Sequence, residues 1–170
     1  SIDQSAATLR AGKMLCKAIA TFRGWHYRSS LINNMAFAAY NKAFEPAMTN
    51  CDWLSRDENI VDAYLDDPWC TFMFTINGYY EMFSGIQKGQ DPKNIDRIPK
   101  DLPILFTSGA EDPVGEKGKG VKAACDRYIK AGIEEVGIKL YEDCRHEILN
   151  EINRHEVYSD LLDWFEDHME

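Results

Sequence analysis

Two residues in the second half of the chain, Asp112 and His146, have the types and the placement needed for acid–base chemistry. Each follows a short apolar run, at about 102–107 and about 136–141, which is typical of a buried strand. Polar side chains beyond the carboxyl ends of parallel strands meet at one edge of the sheet. A carboxylate beside an imidazole there would supply two groups of a Ser-His-acid system, in which the acid orients the imidazole and the imidazole carries the nucleophile's proton.

Two other carboxylates compete for the role of the acid. Asp143 stands three residues before His146, and Glu111 directly precedes Asp112. Asp112 is favoured because Pro113 fixes a turn at that point. On pattern alone, a single aspartate and a single histidine in loops are more often surface residues than catalytic ones. The assignment therefore depends on the elements that position them.

Residues 1–90 are predicted to form a helical segment. Ser55 and Glu58 have the spacing of a capping box, which indicates the start of one of its helices. The aromatic stretch 71–86 predicts a buried helix that is interrupted near Gly78. The first helix carries its apolar residues on one face, namely Leu9, Leu15, Ala18, Ile19 and Phe22.

Residues 91–170 instead indicate the order strand, helix, strand, helix, with the helices at about 117–131 and about 153–168. This order predicts two parallel strands joined by a right-handed crossover. Two parallel strands do not make a stable sheet alone, because parallel sheets need further strands and cover on both faces. Either residues 1–90 hide strands or, as we expect, further strands come from outside this sequence.

The composition is that of one globular domain that does not bind nucleic acid. The 170 residues carry a formal net charge of −9, whereas binding to phosphates needs clustered Lys and Arg. No apolar run approaches the ~20 residues of a membrane span, so at most peripheral membrane contact is expected. The five cysteines are scattered without a CxxC pair, which argues against disulfides and zinc and indicates a cytoplasmic location. We expect no metal and no cofactor.

The turns that carry Asp112 and His146 resemble those of a known family. The run 108–115, Ser-Gly-Ala-Glu-Asp-Pro-Val-Gly, is similar to the acid-loop signature of the monoacylglycerol lipase and lysophospholipase group of α/β-hydrolases, of the serine aminopeptidase S33 type. The run 145–151 resembles their histidine loop, with Cys144 where a glycine is usual. Three earlier runs resemble the cap (lid) and flanking helices of bacterial members, namely 40–44, 52–57 and 77–80.

This resemblance implies the fold class α/β, with the chain as the C-terminal half of an α/β-hydrolase fold. A helical cap region would precede the last two parallel strands and their helices. The resemblance also implies a serine ester hydrolase in which Asp112 orients His146, acting on a small lipid ester such as a monoacylglycerol or a lysophospholipid. Four aromatic residues are candidates for lining the acyl chain, although core packing is the plainer explanation for any one of them. They are Trp53, Phe72, Phe74 and Tyr79.

The nucleophile that the resemblance requires is missing from this sequence. The family's serine lies in a G-x-S-x-G elbow. Neither that pattern nor an HG-type oxyanion loop is present, and Ser84 and Ser108 have glycine on one side only. We therefore expect the nucleophile in an N-terminal half of the same hydrolase, with this sequence as a fragment or one piece of a longer or cleaved protein that is inactive alone. A complete protein that has lost its nucleophile is the alternative.

Two further classes of protein remain as alternatives. The glycine- and lysine-rich run 115–120 follows a strand and precedes a helix, as a phosphate-binding loop does. Its spacing fits neither nucleotide-binding motif, and the nearby carboxylates would repel an anion. A non-catalytic interaction or ligand-binding module derived from the same fold would need no triad geometry.

Cys144, beside His146, is interpreted as a neutral bystander rather than as a redox-sensitive thiol.

Overall fold

The structure is a computed structural model that describes residues 4–169. The first half of the chain is helical, and the second half alternates strands with helices. Two strands, β1 (Ile104–Gly109) and β2 (Val136–Tyr141), lie in the second half. Two short 3-10 turns cover Tyr40–Phe44 and Ile148–Asn150. The α-helices of the described chain are α1 (Ala6–Arg23), α2 (Ser30–Phe37), α3 (Glu58–Asp66), α4 (Ile76–Gly89), α5 (Pro92–Ile95), α6 (Lys119–Lys130) and α7 (Arg154–His168).

α1 and α4 pack against each other and form, together with α2, the core of the helical half. Both helices begin at hydroxyl caps, because Ser5 and Thr75 each accept a backbone N–H of the first turn. Where the helices meet, Gly12 leaves room for the Phe83 ring, which a Cβ at that position would approach to 2.9 Å. The buried residues of this core are Cys16, Ala20, Ile32, Ile76 and Tyr79.

The helix α1 is confirmed, and its predicted apolar face is confirmed in part, because Leu9 is buried and Leu15 and Ile19 pack against the core. Leu9, Cys16 and Ala20 are buried, and these positions lie on one face of a helix. Phe22 and Ala18, which were predicted to share that face, are exposed instead.

The capping box predicted at Ser55 and Glu58 is wrong. Asp57 caps α3 by accepting the Asn59 N–H. Ser55 is buried and donates its hydroxyl to the Asn150 carbonyl at 2.9 Å, so a distant backbone group occupies the side chain that the local pattern assigned to the cap.

The helix predicted over 71–86 is also placed differently. α4 begins only after Thr75, and it continues through Gly78 without the predicted interruption. Phe72 and Phe74 therefore precede the helix instead of lying within it.

β1 and β2 are parallel neighbours, as predicted, and α6 connects them. The pairing is continuous to Gly109 opposite Tyr141, so the two strands end level with each other. Val157 of α7 packs with Tyr141 and Cys144 and covers the end of β2. Among residues 4–169, no further strand joins this sheet.

Three features bear on the environment and cofactors of the chain. None of the helices within residues 4–169 combines the length and apolar character that crossing a membrane requires. The five cysteines are free thiols. In the described part of the chain, no three His, Cys, Asp or Glu side chains gather as a metal ion would need.

Candidate active site

The turns that leave β1 and β2 are in backbone contact with each other. The Glu111 N–H donates to the Cys144 carbonyl at 2.9 Å. Gly109, the last residue of β1, is required between the turns, because a Cβ there would overlap the carbonyl groups of Cys144 and Arg145. Each turn therefore fixes the position of the other.

Asp112 lies in the first turn and directs its carboxylate at the second. Its side chain is only 4% exposed. Oδ1 accepts the Val114 N–H at 2.8 Å, and Oδ2 accepts the Ser108 hydroxyl at 3.3 Å. The same Oδ2 lies 3.1 Å from Nδ1 of His146. The structure thus brings together the two residues that the sequence singled out for acid–base chemistry.

The charge state of Asp112 follows from opposing effects. Burial by itself would raise the pKa of Asp112, but the hydrogen bond and the charge of His146 lower it, as does the Val114 N–H, and the pKa ends below its usual value. The carboxylate is therefore ionised at neutral pH and accepts the Nδ1 proton of His146. In the neutral imidazole, Nε2 is then the basic atom.

His146 lies in the second turn, which we call the histidine turn (residues 144–147). This turn hydrogen-bonds the segment just before α3. The His146 N–H donates to the Trp53 carbonyl at 3.3 Å, and the Glu147 N–H donates to the Leu54 carbonyl at 2.8 Å. The His146 side chain is 37% exposed, and within the described residues no group hydrogen-bonds its Nε2. A reacting group can therefore approach Nε2.

The two rival acids do not take the place beside His146. Glu111 pairs with Lys117 at 2.5 Å. Asp143 lies in the second turn with a φ of 58°, a left-handed conformation that aspartate tolerates better than most residues. Among the described residues, Asp112 is the carboxylate that bonds the imidazole.

The four aromatic residues predicted to contact substrate fall into two groups. Trp53 lies beside His146, with ring centroids 5.0 Å apart. Phe72, Phe74 and Tyr79 lie together, with neighbouring rings 5.2 and 5.6 Å apart. Phe72 and Phe74 are exposed, whereas Tyr79 is buried in the helical core.

Two rings that the sequence analysis did not name as substrate contacts connect these groups. Tyr40 lies 5.1 Å from Trp53, and Phe37 lies 6.3 Å from both Tyr40 and Tyr79. Burial raises the pKa of Tyr40 and the charge of Asp112 raises it further, so the hydroxyl is protonated at neutral pH. A continuous series of aromatic rings therefore runs from His146 into the helical half.

A buried charge cluster next to the turn that carries His146 was not predicted from the sequence. Glu151 is wholly buried, pairs with Arg56 at 2.9 Å and accepts the Arg145 N–H at 2.7 Å. The available signal was that both charged residues fall within runs that resemble the family. Burial of a charge, however, does not show in a local pattern.

Cys144 is not a reactive thiol in this setting. Burial raises the pKa of its thiol, and the S–H group donates to Asn153 at 3.1 Å. A protonated, buried thiol is a poor nucleophile.

Parallel strands joined by a helix, with an acid turn and a histidine turn at their carboxyl ends, define part of an α/β-hydrolase fold. Comparison with known families agrees with this class. The chain belongs to the family described as serine aminopeptidase, S33 (Hydrolase_4), which matches residues 5–153. A comparison with curated proteins gives no match.

Solved structures give the same fold. A highly thermostable carboxyl esterase from Bacillus coagulans, in complex with glycerol, is 22% identical with a TM-score of 0.87, over 98% of this chain and 54% of the esterase. A lipase in its open form is 25% identical with a TM-score of 0.74, over 91% of this chain and 50% of the lipase. A monoacylglycerol lipase from Paleococcus ferrophilus is 17% identical with a TM-score of 0.58, over 92% and 65% of the two chains. The chain thus spans about half the length of the esterase and of the lipase.

Proposed function

We propose that this chain supplies the acid and the general base of a serine ester hydrolase, with Asp112 orienting His146. The complete protein is then a carboxylic ester hydrolase of the lysophospholipase or monoacylglycerol lipase kind. Its N-terminal half, outside this sequence, contributes the nucleophilic serine and the oxyanion hole. Residues 1–90 contain the cap, and residues 91–170 belong to the hydrolase core. The observation that carries the proposal is the 3.1 Å approach of Asp112 Oδ2 to His146 Nδ1 from turns at the ends of adjacent parallel strands.

The direction of that hydrogen bond supports a specific reaction sequence. His146 Nε2 accepts the serine hydroxyl proton while the serine oxygen attacks the ester carbonyl carbon. The imidazolium then gives this proton to the departing alcohol as the C–O bond breaks, which leaves an acyl-enzyme. Water repeats the sequence, releases the carboxylic acid and restores the serine. The ionised Asp112 stabilises the imidazolium in both halves.

A lipid ester fits the aromatic series that leads away from His146. Trp53 lies beside His146, where the reacting carbonyl would bind, and the exposed rings of Phe72 and Phe74 offer an apolar surface for the acyl chain. Tyr79 packs against the Phe74 ring from the core. Monoacylglycerols and lysophospholipids carry one acyl chain on a small head group, which such a surface would accommodate.

The location and the partners of the proposed enzyme follow from its charge and thiols. Five free cysteines are typical of a reducing compartment, which supports a cytoplasmic location. The net charge of −9 disfavours nucleic acid. Contact with membranes would then be peripheral and limited to reaching the lipid ester.

The test compares the complete coding sequence with this segment alone. A fluorophosphonate probe, which reacts with activated serines, is expected to label the complete protein and not the segment. Replacing His146 by Ala in the complete protein is expected to lower turnover of a monoacylglycerol by several orders of magnitude. Turnover within about tenfold of the unchanged protein would contradict the assignment. A complete protein that neither reacts with the probe nor hydrolyses esters would instead favour the non-catalytic binding module.

A further inference from the structure

A buried carboxylate, Glu151, joins the turn that carries His146 to the segment that precedes α3. Its Oε1 accepts the backbone N–H of Arg145 at 2.7 Å and that of Arg56 at 3.3 Å. Its Oε2 accepts Nε of Arg56 at 2.9 Å and the N–H of Ile152 at 3.2 Å. The side chain is 0% exposed. The Glu151 carboxylate therefore accepts four hydrogen bonds, and their donors include both the turn that carries His146 and the segment that precedes α3.

These bonds link the position of Glu151 to that of His146. The Arg145 amide directly precedes His146, so removing its acceptor leaves a half-buried donor unpaired next to the residue that carries the imidazole. The charge of Glu151 is paired with Arg56, which a buried carboxylate requires. A smaller side chain at residue 151 would therefore lose the hydrogen bonds both to the turn that carries His146 and to the segment that precedes α3.

Arg145 also connects the turn that carries His146 to the segment that precedes α3. Arg145 donates from Nη1 to the carbonyls of Ser55, at 3.1 Å, and of Asp52. Its guanidinium lies 4.3 Å from the Phe44 ring centroid. The histidine turn is thus attached to the segment before α3 by the backbone, by Arg145 and by Glu151.

We propose that Glu151 is a positioning residue, which together with Arg56 fixes the histidine turn and so sets the imidazole of His146 against Asp112. The effect on the turn stands on these contacts alone. Its consequence for turnover rests on the proposed function, because misplacing a proton carrier by about 1 Å costs about a hundredfold in rate.

A neighbouring ion pair provides a matched control. Arg154 and Asp57 pair at 3.1 Å and connect the start of α3 to the start of α7, as the Glu151 cluster does. Neither residue hydrogen-bonds the turn at 144–147 in the described structure, and Arg154 bonds Glu151 only at the backbone carbonyl, which any side chain at residue 151 retains. Replacing Asp57 by Asn retains a capping side chain for α3 but removes the ion pair, so it perturbs the stability of this region without releasing His146.

The first measurement is hydrogen exchange by mass spectrometry on the complete protein. Glu151→Ala is expected to accelerate exchange of the amides of Arg145, His146 and Glu147 by about tenfold to a hundredfold. Glu151→Gln keeps one accepting oxygen and is expected to give a smaller increase. If the alanine variant does not fold, the glutamine variant decides. Asp57→Asn should leave these amides unchanged, and equal exchange in the Glu151 and Asp57 variants overturns the inference.

The second measurement separates positioning from substrate binding. Below the melting temperature of each variant, Glu151→Ala is expected to lower kcat by about tenfold to a hundredfold while KM stays within about twofold. Glu151→Gln should recover part of the loss, and Asp57→Asn should match the unchanged protein. Faster exchange without a fall in kcat would show that Glu151 does not position the base. If the unchanged complete protein hydrolyses no ester, the proposed function fails, and the exchange rates alone decide whether Glu151 holds the turn.

Discussion

The indole ring of Trp53 lies 5.0 Å from the imidazole of His146, with the ring planes inclined by 43°. The Trp53 carbonyl also accepts the His146 N–H at 3.3 Å. One residue therefore contacts both the ring and the backbone of the proposed base. The carbonyl is a backbone group that every side chain at residue 53 retains, so a variant there is expected to report on the indole.

Replacing Trp53 by Ala in the complete protein is expected to lower kcat/KM for a monoacylglycerol by about threefold to tenfold. The reason is that an aromatic contact contributes about 0.5–1.5 kcal/mol beyond its buried area. Trp53→Phe should retain most of the activity. The comparison is Trp164→Ala, because Trp164 stacks on His168, which bonds Glu135 at the opposite end of β2. Equal losses in the Trp53→Ala and Trp164→Ala proteins would show that the indole has no particular role at the site.

Replacing Asp112 by Asn is expected to lower kcat by about three to four orders of magnitude with little change in KM. The amide has the shape of the carboxylate, but it carries no charge to stabilise the imidazolium. Its single oxygen is needed by the Val114 N–H, so its NH2 group faces Nδ1 of His146 and favours the wrong tautomer. Steady-state hydrolysis of a soluble ester measures this. Glu111→Gln is the matched control, because it neutralises the adjacent carboxylate, whose partner is the exposed Lys117. An Asp112→Asn protein as active as the Glu111→Gln protein would remove Asp112 from the mechanism.

The pairing of Asp112 with His146 could be predicted from the sequence because it depends on short-range features. Two apolar runs indicated strands, their order made the strands parallel, and Pro113 marked a turn. The parallel pairing and the level strand ends then bring the two residues together. Each of these signals can be recognised in the sequence without knowing which distant residues meet.

The contacts of Glu151 with Arg56 and Arg145 could not be predicted in this way. Arg56 and Glu151 meet only in the folded chain, and nothing local distinguishes a buried charged residue from an exposed one. Ser55 illustrates the same limit, because its hydroxyl bonds the carbonyl of Asn150 instead of opening α3. The erroneous capping box and the missed Glu151 contacts thus arise at one interface, between the segment before α3 and the turn that carries His146.

Replacing Gly109 by Ala tests the contact between the two turns. The added Cβ would overlap the carbonyl groups of Cys144 and Arg145, which cannot move without moving His146. We expect a loss of stability of about 1–3 kcal/mol, and a fall in kcat of about a hundredfold because the base is displaced. Urea unfolding and ester hydrolysis measure the two effects. In the control, Gly85→Ala in α4, a Cβ meets nothing within 4 Å, and a gain of about 0.5–1 kcal/mol is expected in the helix. A Gly109→Ala protein with unchanged stability and turnover would show that the turns are not in contact.

The stability of the protein is expected to fall as the pH rises through the titration of His168. The hydrogen bond to Glu135, at 2.7 Å, and the bond to the Trp164 carbonyl raise the pKa of His168 above its usual value of about 6.5. A group whose pKa is raised by folding stabilises the folded state fully below its ordinary pKa, and this contribution is lost as the pH rises through the raised value. Urea unfolding can be compared at pH 5.5, about one unit below the ordinary pKa of histidine, and at pH 8.5, about two units above it. The contribution of His168 to the free energy of unfolding should be smaller at pH 8.5. His168→Gln should reduce the difference between the two pH values, and 1 M salt should reduce it in the unchanged protein because Glu135 is exposed. A pH dependence that is the same with histidine and with glutamine at residue 168 would rule out this contribution.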